Sequence, residues 1–176
     1  MTALRWLLAA VATIVALGLA GLLVWRSSGV ASGAALAGCG VGSGCDKVLA
    51  SRWSSLFGVP VSLGAVGCYL LMLLMLWHLR PAGWFGTPSR SSVRRTAGVL
   101  LAVCAAAAVT TAVWFVVLQA GVIQAWCRYC TASHIAGILA SAIVLFHLRR
   151  HLSAMAIGCA AAGLLIILQI VFPGPG

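Results

Sequence analysis

Four of the seven cysteines fall into two pairs: Cys39 and Cys45 enclose Gly-Val-Gly-Ser-Gly, and Cys127 and Cys130 enclose Arg-Tyr. The chemistry open to such pairs is thiol–disulfide exchange, in which a thiolate attacks a disulfide sulfur along an accessible line. The glycine link lets Cys39 and Cys45 meet, part or reach another sulfur, which suits a shuttle better than a clamp. Positions three apart share a helix face, and the unpaired N–H groups of a first turn favour a thiolate. If Cys127 opens a helix, those groups and the adjacent Arg128 both lower its pKa, which makes the Cys-x-x-Cys a redox site and not a staple. Thr131 follows Cys130, so the pair lacks the histidine of a c-type haem attachment. Cys68, Cys104 and Cys159 stand alone in apolar runs and read as small hydrophobes.

The elements that must position these thiols are membrane spans. Of the 176 residues 63% are hydrophobic and 7% charged, with one acid, Asp46, against eleven Lys and Arg. A soluble globule carries about a quarter charged residues, so a soluble enzyme, a disordered tail and a disulfide-stapled miniprotein are excluded. The net charge of +10 does not signal nucleic acid, because the basic residues punctuate apolar runs and form no stripe with stacking aromatics. A crossing helix needs about 20 apolar residues, and such runs extend from Trp6 to Trp25, Val59 to Leu79, Ala97 to Leu118, Cys127 to Leu148 and Leu152 to Phe172. The first run is read as a retained span: it is longer than the usual core of a signal peptide and has only Arg5 as a basic flank.

Five crossings put the two ends of the chain on opposite sides. With the N-terminus cytoplasmic, that side holds Arg5, Arg80, Arg90, Arg94, Arg95, Arg149 and Arg150, and the other holds Arg26, Lys47, Arg52 and Arg128. Seven against four favours this orientation under the positive-inside rule. All four paired cysteines then meet at the outward face, where an oxidising compartment engages thiols. Trp6, Trp25, Trp53, Trp77, Trp84 and Trp126 stand near span ends, as an interfacial belt would.

Between the pairs, Val48, Leu49, Trp53, Leu56 and Phe57 recur at helical spacing from Asp46 to Phe57. The spacing predicts a short amphipathic helix at the membrane surface, with Asp46 as its N-cap and Gly58 and Pro60 as its stop. Three competing readings of the cysteines exist. A Cys₄ zinc site is one, although the five-residue spacing departs from the usual knuckles. Leu36-Ala37-Gly38-Cys39 looks like a lipoprotein processing box, although Arg26, Ser27 and Ser28 separate it from the apolar run. A non-catalytic membrane scaffold with two fixed disulfides is the third.

Taken together, Cys39-x₅-Cys45-Asp-Lys-Val-Leu-Ala-Ser51-Arg-Trp53, then Phe57-Gly-Val-Pro-Val-Ser62, then Cys127-x-x-Cys130 opening a late span, resemble the vitamin K epoxide reductase family in its bacterial form. The resemblance covers the whole chain. It implies an all-α integral membrane fold: a four-helix transmembrane bundle, a fifth transmembrane helix and the surface helix after the first span. It also implies a quinone (menaquinone, ubiquinone or phylloquinone-like) beside the Cys-x-x-Cys, and a thioredoxin-like partner outside the cytoplasm whose oxidation supports disulfide-bond formation. Cys39 and Cys45 would be the shuttle pair, Cys127 the sulfur that Cys45 joins, and Cys130 the thiolate facing the quinone. Ser51, Trp53, Phe57 and His134 would contact the ring, and no metal is expected.

The chain departs from animal members of that family at two places. His134 stands where they set a tyrosine, four residues after the second membrane cysteine, and an imidazole can donate a hydrogen bond there. The asparagine they place before the second span has no counterpart near Pro60. Quinone reduction is therefore the safer expectation, ahead of epoxide reduction. Many bacterial members carry a thioredoxin-like domain after the fifth span. Residues 1–176 are expected to form the transmembrane domain alone, in a bacterial inner membrane, with Phe172 to Gly176 on the outward side where such a domain would be tethered.

Overall fold

The computed structural model describes residues 2–27, 37–81 and 91–172. Leu36 of the processing box, Trp84 and Arg90 of the basic loop, and Pro173 to Gly176 lie outside the described residues. Five helices are long and apolar enough to cross a membrane. They are α1 (Ala3–Ser27), α3 (Val61–His78), α4 (Ser91–Val117, continued by a π-helical turn Leu118–Val122), α5 (Arg128–His147) and α6 (Leu152–Val171). The third crossing starts six residues before the expected Ala97, because the polar stretch Ser91–Thr96 extends the helix beyond its apolar part.

Helices α1, α3, α4 and α5 pack as a ring in which each touches its two neighbours, and α6 lies outside against α4. The side-chain arrangement is that of a protein dissolved in lipid. Ala9, Ala16, Ala20, Ala102, Ala105 and Ala140 fill the helix interfaces, while Leu74, Ile135, Leu139 and Ile167 point outward and Ile14 is 56% exposed. Lipid tails are as apolar as these chains, so association depends on close approach of small residues and not on hiding large ones. Gly158 shows the effect. A Cβ there would stand 3.0 Å from the Ala106 Cβ and would meet the Val103 carbonyl, so α6 can lie against α4 only with glycine at that position.

The segment after α1 departs from a single amphipathic helix. A short helix α2 (Gly44–Leu49) is capped by Ser43, whose hydroxyl accepts from the Asp46 N–H at 3.2 Å. Asp46 sits in the first turn, not at the cap, and its carboxylate accepts from the Gly42 N–H at 3.0 Å. The pair is a variant of the capping box in which the return bond goes to the residue before the cap. The Ser51 hydroxyl donates to the Val48 carbonyl at 2.7 Å, and Ser51 takes extended backbone angles. A local bond of this kind competes with helical continuation. A 3₁₀ turn (Arg52–Ser54) follows, then an antiparallel pair, β1 (Ser55–Leu56) and β2 (Val59–Pro60). Phe57 (φ 52°) and Gly58 (φ 79°) form the two-residue loop, and positive φ at both central residues is what a type I′ hairpin turn demands.

Tryptophan placement also differs in part from a lipid-facing belt. Trp25, Trp77 and Trp126 are exposed, but Trp6 is buried and donates its indole N–H to the Leu76 carbonyl at 2.8 Å.

Candidate redox site

The C-terminal end of α1 and the N-terminal end of α5 lie together, and α2 is laid across them. There Cys39, Cys45, Cys127 and Cys130 form one buried cluster with Leu23. Cys39 and Cys45 are joined by a disulfide, and Cys127 and Cys130 are free thiols. The Cys45 Sγ lies 3.1 Å from the Cys127 Sγ, so a third sulfur stands against one sulfur of the loop disulfide.

Two glycines make this approach possible. A Cβ on Gly44 would stand 2.5 Å from the Trp126 carbonyl oxygen, so the first turn of α2 reaches the irregular segment before α5 only because that residue has no side chain. Gly38 (φ 73°) occupies the left-handed region, and a Cβ on it would stand 2.6 Å from the Arg128 guanidinium carbon. The Tyr129 hydroxyl donates to the Ala37 carbonyl at 3.0 Å and ties the other end of the same loop to α5.

Cys127 is the N-cap of α5, and its sulfur accepts from the Cys130 N–H at 3.2 Å. Its thiol is pulled down to about 7, first by the hydrogen bond from the Cys130 side chain and further by the backbone N–H groups of Cys130 and Tyr129, against a desolvation that opposes ionisation. The helix-terminus expectation is met. The neighbouring Arg128 contributes differently than expected, with its guanidinium turned to Gly38.

Gln119 gave no signal in the sequence beyond being a polar residue near a span end. It is buried in the π-helical turn, and its side-chain oxygen accepts the Cys127 N–H at 2.9 Å. A π-turn adds a residue to the helical circuit and is frequent at functional sites. Here it turns Gln119 inward to the Cys127 N–H, which holds the backbone of the residue that carries the capping sulfur.

Beside the cluster is a cavity of about 460 Å³ with mostly apolar walls. Cys130 lines it and Cys127 does not. Ser51, Trp53, Phe57 and His134, the four expected ring contacts, all line it as well. The His134 ring is stacked on Phe115 at 5.9 Å between centroids. The 3₁₀ turn and hairpin cover the end of the cavity nearest the cysteines. They are held by Gln169 of α6, whose amide N–H donates to the Trp53 carbonyl at 2.6 Å while its oxygen accepts from the Trp114 indole at 3.0 Å. Trp53 and Trp114 meet edge to face at 6.1 Å. Gln169 is a second functional candidate that its position in an apolar run concealed.

Cys68 and Cys104 are less isolated than their spacing suggests. They face one another across α3 and α4, with the Cys68 thiol 3.6 Å from the Cys104 carbonyl oxygen, and Cys68 also lines the cavity.

A membrane bundle in which a loop disulfide, a helix-capping thiol and a cavity-lining thiol stand in series belongs to the class of thiol–disulfide oxidoreductases. Residues 6–146 match the family model described as the vitamin K epoxide reductase family, and the chain belongs to that family. It is a multi-pass membrane protein of a family whose members act on thiols and use quinones. No curated protein matches the chain.

Proposed function

We propose that the chain carries two electrons from a thioredoxin-like dithiol outside the cytoplasm to a membrane quinone. The observation that carries this reading is the order of sulfurs: Cys39 bonded to Cys45, Cys45 at 3.1 Å from Cys127, and Cys130 at the cavity wall. A scaffold with fixed bridges gives no reason for a free, ionisable thiol held against a disulfide.

The steps balance as follows. A partner thiolate attacks Cys39 and releases Cys45 as a thiolate. Cys45 attacks Cys127 of a Cys127–Cys130 disulfide, forming Cys45–Cys127 and releasing the Cys130 thiolate. The partner's second thiol closes its own disulfide and frees Cys39, which attacks Cys45 and expels Cys127. The Cys39–Cys45 disulfide beside a Cys127/Cys130 dithiol is the product of that last step. Hydrogen bonds from Cys130 and Tyr129 make Cys127 the better leaving group, since a low-pKa thiol departs faster.

The cavity fits a quinone ring. Its volume falls within the range of small-molecule sites, about 300–1,000 Å³, and its walls are apolar with a few polar groups from Ser51, His134 and Cys130. A bound quinone supplies the two-electron acceptor. The residues of this chain do the rest: Trp53 and Phe57 exclude water at the outward end, His134 offers a hydrogen-bond donor to a ring oxygen, and Cys130 presents the reducing sulfur, its thiol proton passing to the Cys127 thiolate. Menaquinone, ubiquinone and a phylloquinone-like ring all satisfy this wall chemistry. Partner access requires the loop to open, because Cys39 is fully buried while Val41 at the loop tip is 96% exposed.

The test is anaerobic reduction of a quinone analogue by the purified chain with a dithiol donor. Turnover is expected in the wild type and its loss in Cys130→Ala, with the protein still folded. Cys127→Ala should leave Cys39 and Cys45 reduced in cells. Undiminished turnover in Cys130→Ala would reject the assignment.

A further inference from the structure

We propose that the end of the bundle opposite the cysteines holds a phosphate-bearing anion, in first place the headgroup of an acidic phospholipid. A second cavity of about 310 Å³ opens there, between the end of α3, the start of α4 and the turn from α5 to α6. Its floor includes Leu101 and Val144, both fully buried, and its walls carry Arg94, Arg95 and Arg150, with His147 and His151 beside them.

No acidic side chain balances these cations. Asp46 is the only acid in the sequence, and it is held by the Gly42 N–H at the other end of the molecule. Arg94 is partly committed, donating to the carbonyls of His78 at 3.3 Å and Arg80 at 3.4 Å, which anchors it at the end of α3. Arg95 and Arg150 come from different elements and converge on one cavity. Like charges gathered in a concave, part-apolar site repel one another and concentrate counter-ions. Basic pockets between transmembrane helices on the cytoplasmic side suit acidic headgroups, and the proposed orientation puts this cavity on that side. The apolar floor distinguishes a lipid from free phosphate, since it gives the first carbons of an acyl chain a surface to cover.

Native mass spectrometry of the purified full chain tests this with three probes: short-chain phosphatidylglycerol, phosphatidylcholine of the same chains, and inorganic phosphate. One phosphatidylglycerol per chain should be retained at least tenfold more tightly than phosphatidylcholine. R95Q/R150Q should weaken it at least fivefold. R5Q/R149Q removes two charges from the same end, at residues that lie over Phe146 and do not line the cavity; it should change affinity less than twofold. Phosphate bound alone with the same dependence on Arg95 and Arg150 would assign the same anion site to the free ion. Arg150 lies on an exposed turn, so R150Q alone, with an expected two- to fivefold loss, decides the matter if the double variant does not fold. Equal retention of both lipids with no phosphate binding, or equal loss in the two double variants, would overturn the proposal.

Discussion

At the scale of single residues, reactivity is set by hydrogen bonds to one sulfur. Donors aimed at Cys127 favour its charged form, so its pKa falls from the ordinary thiol value to about 7. Thiolate should then persist to lower pH than in an ordinary thiol. An ultraviolet thiolate titration in a C68A/C104A/C159A background should show this midpoint, and Cys130→Ala should move it upward by removing the largest donor. An unchanged midpoint would mean that the backbone alone holds the charge. Gln119 acts on the backbone of the same residue. Gln119→Leu leaves the buried Cys127 N–H unpaired, at a cost of about 1–3 kcal/mol, and should slow transfer between the pairs with little change in the loop disulfide. Stopped-flow thiol trapping separates the two effects.

At the scale of elements, helix α2 and the hairpin determine whether the sulfurs and cavity meet. Gly44→Ala should push α2 off the Trp126 carbonyl and slow exchange between Cys45 and Cys127 at least tenfold, while Cys39–Cys45 still forms; retention of wild-type rates would show that the approach has slack. The five crossings were legible because run length and missing charge determine what a bilayer accepts. The Cys-x-x-Cys was legible because its chemistry depends on local spacing. The hairpin was not: Val48, Trp53 and Phe57 fit helical spacing equally well, and Phe is a rare occupant of positive φ. Nor were the roles of Gln119 and Gln169, which depend on how a π-turn and an outer helix are rotated. The facing of Cys68 and Cys104, 36 residues apart, depends in the same way on the rotation of two helices.

At the scale of the whole molecule, an inverted side-chain distribution carries the argument. Small residues at the helix contacts and many large ones facing outward suit a bundle dissolved in lipid, and the ring of four helices leaves a cavity at the end where the sulfurs gather. Helix α6 closes one side and supplies Gln169. Gly158→Leu should lift α6 from α4, loosen the cover at Trp53 and weaken quinone binding more than it slows exchange between the cysteine pairs. A ligand-binding titration set beside a thiol-trapping time course would show this, and equal losses in both would place α6 in general stability instead. The vectorial reading requires both pairs at one face. Impermeant labels on sealed vesicles should reach a cysteine at loop position 41 from one side only, and one at position 149 from the other.

The relay stands or falls on which sulfur Cys45 meets. Oxidation of Cys39→Ala by a quinone analogue, followed by acid quenching and mass mapping of the peptides, should reveal a Cys45–Cys127 disulfide with Cys130 free. A Cys45–Cys130 disulfide, or an unlinked Cys45 beside an intact Cys127–Cys130 bond, would contradict it.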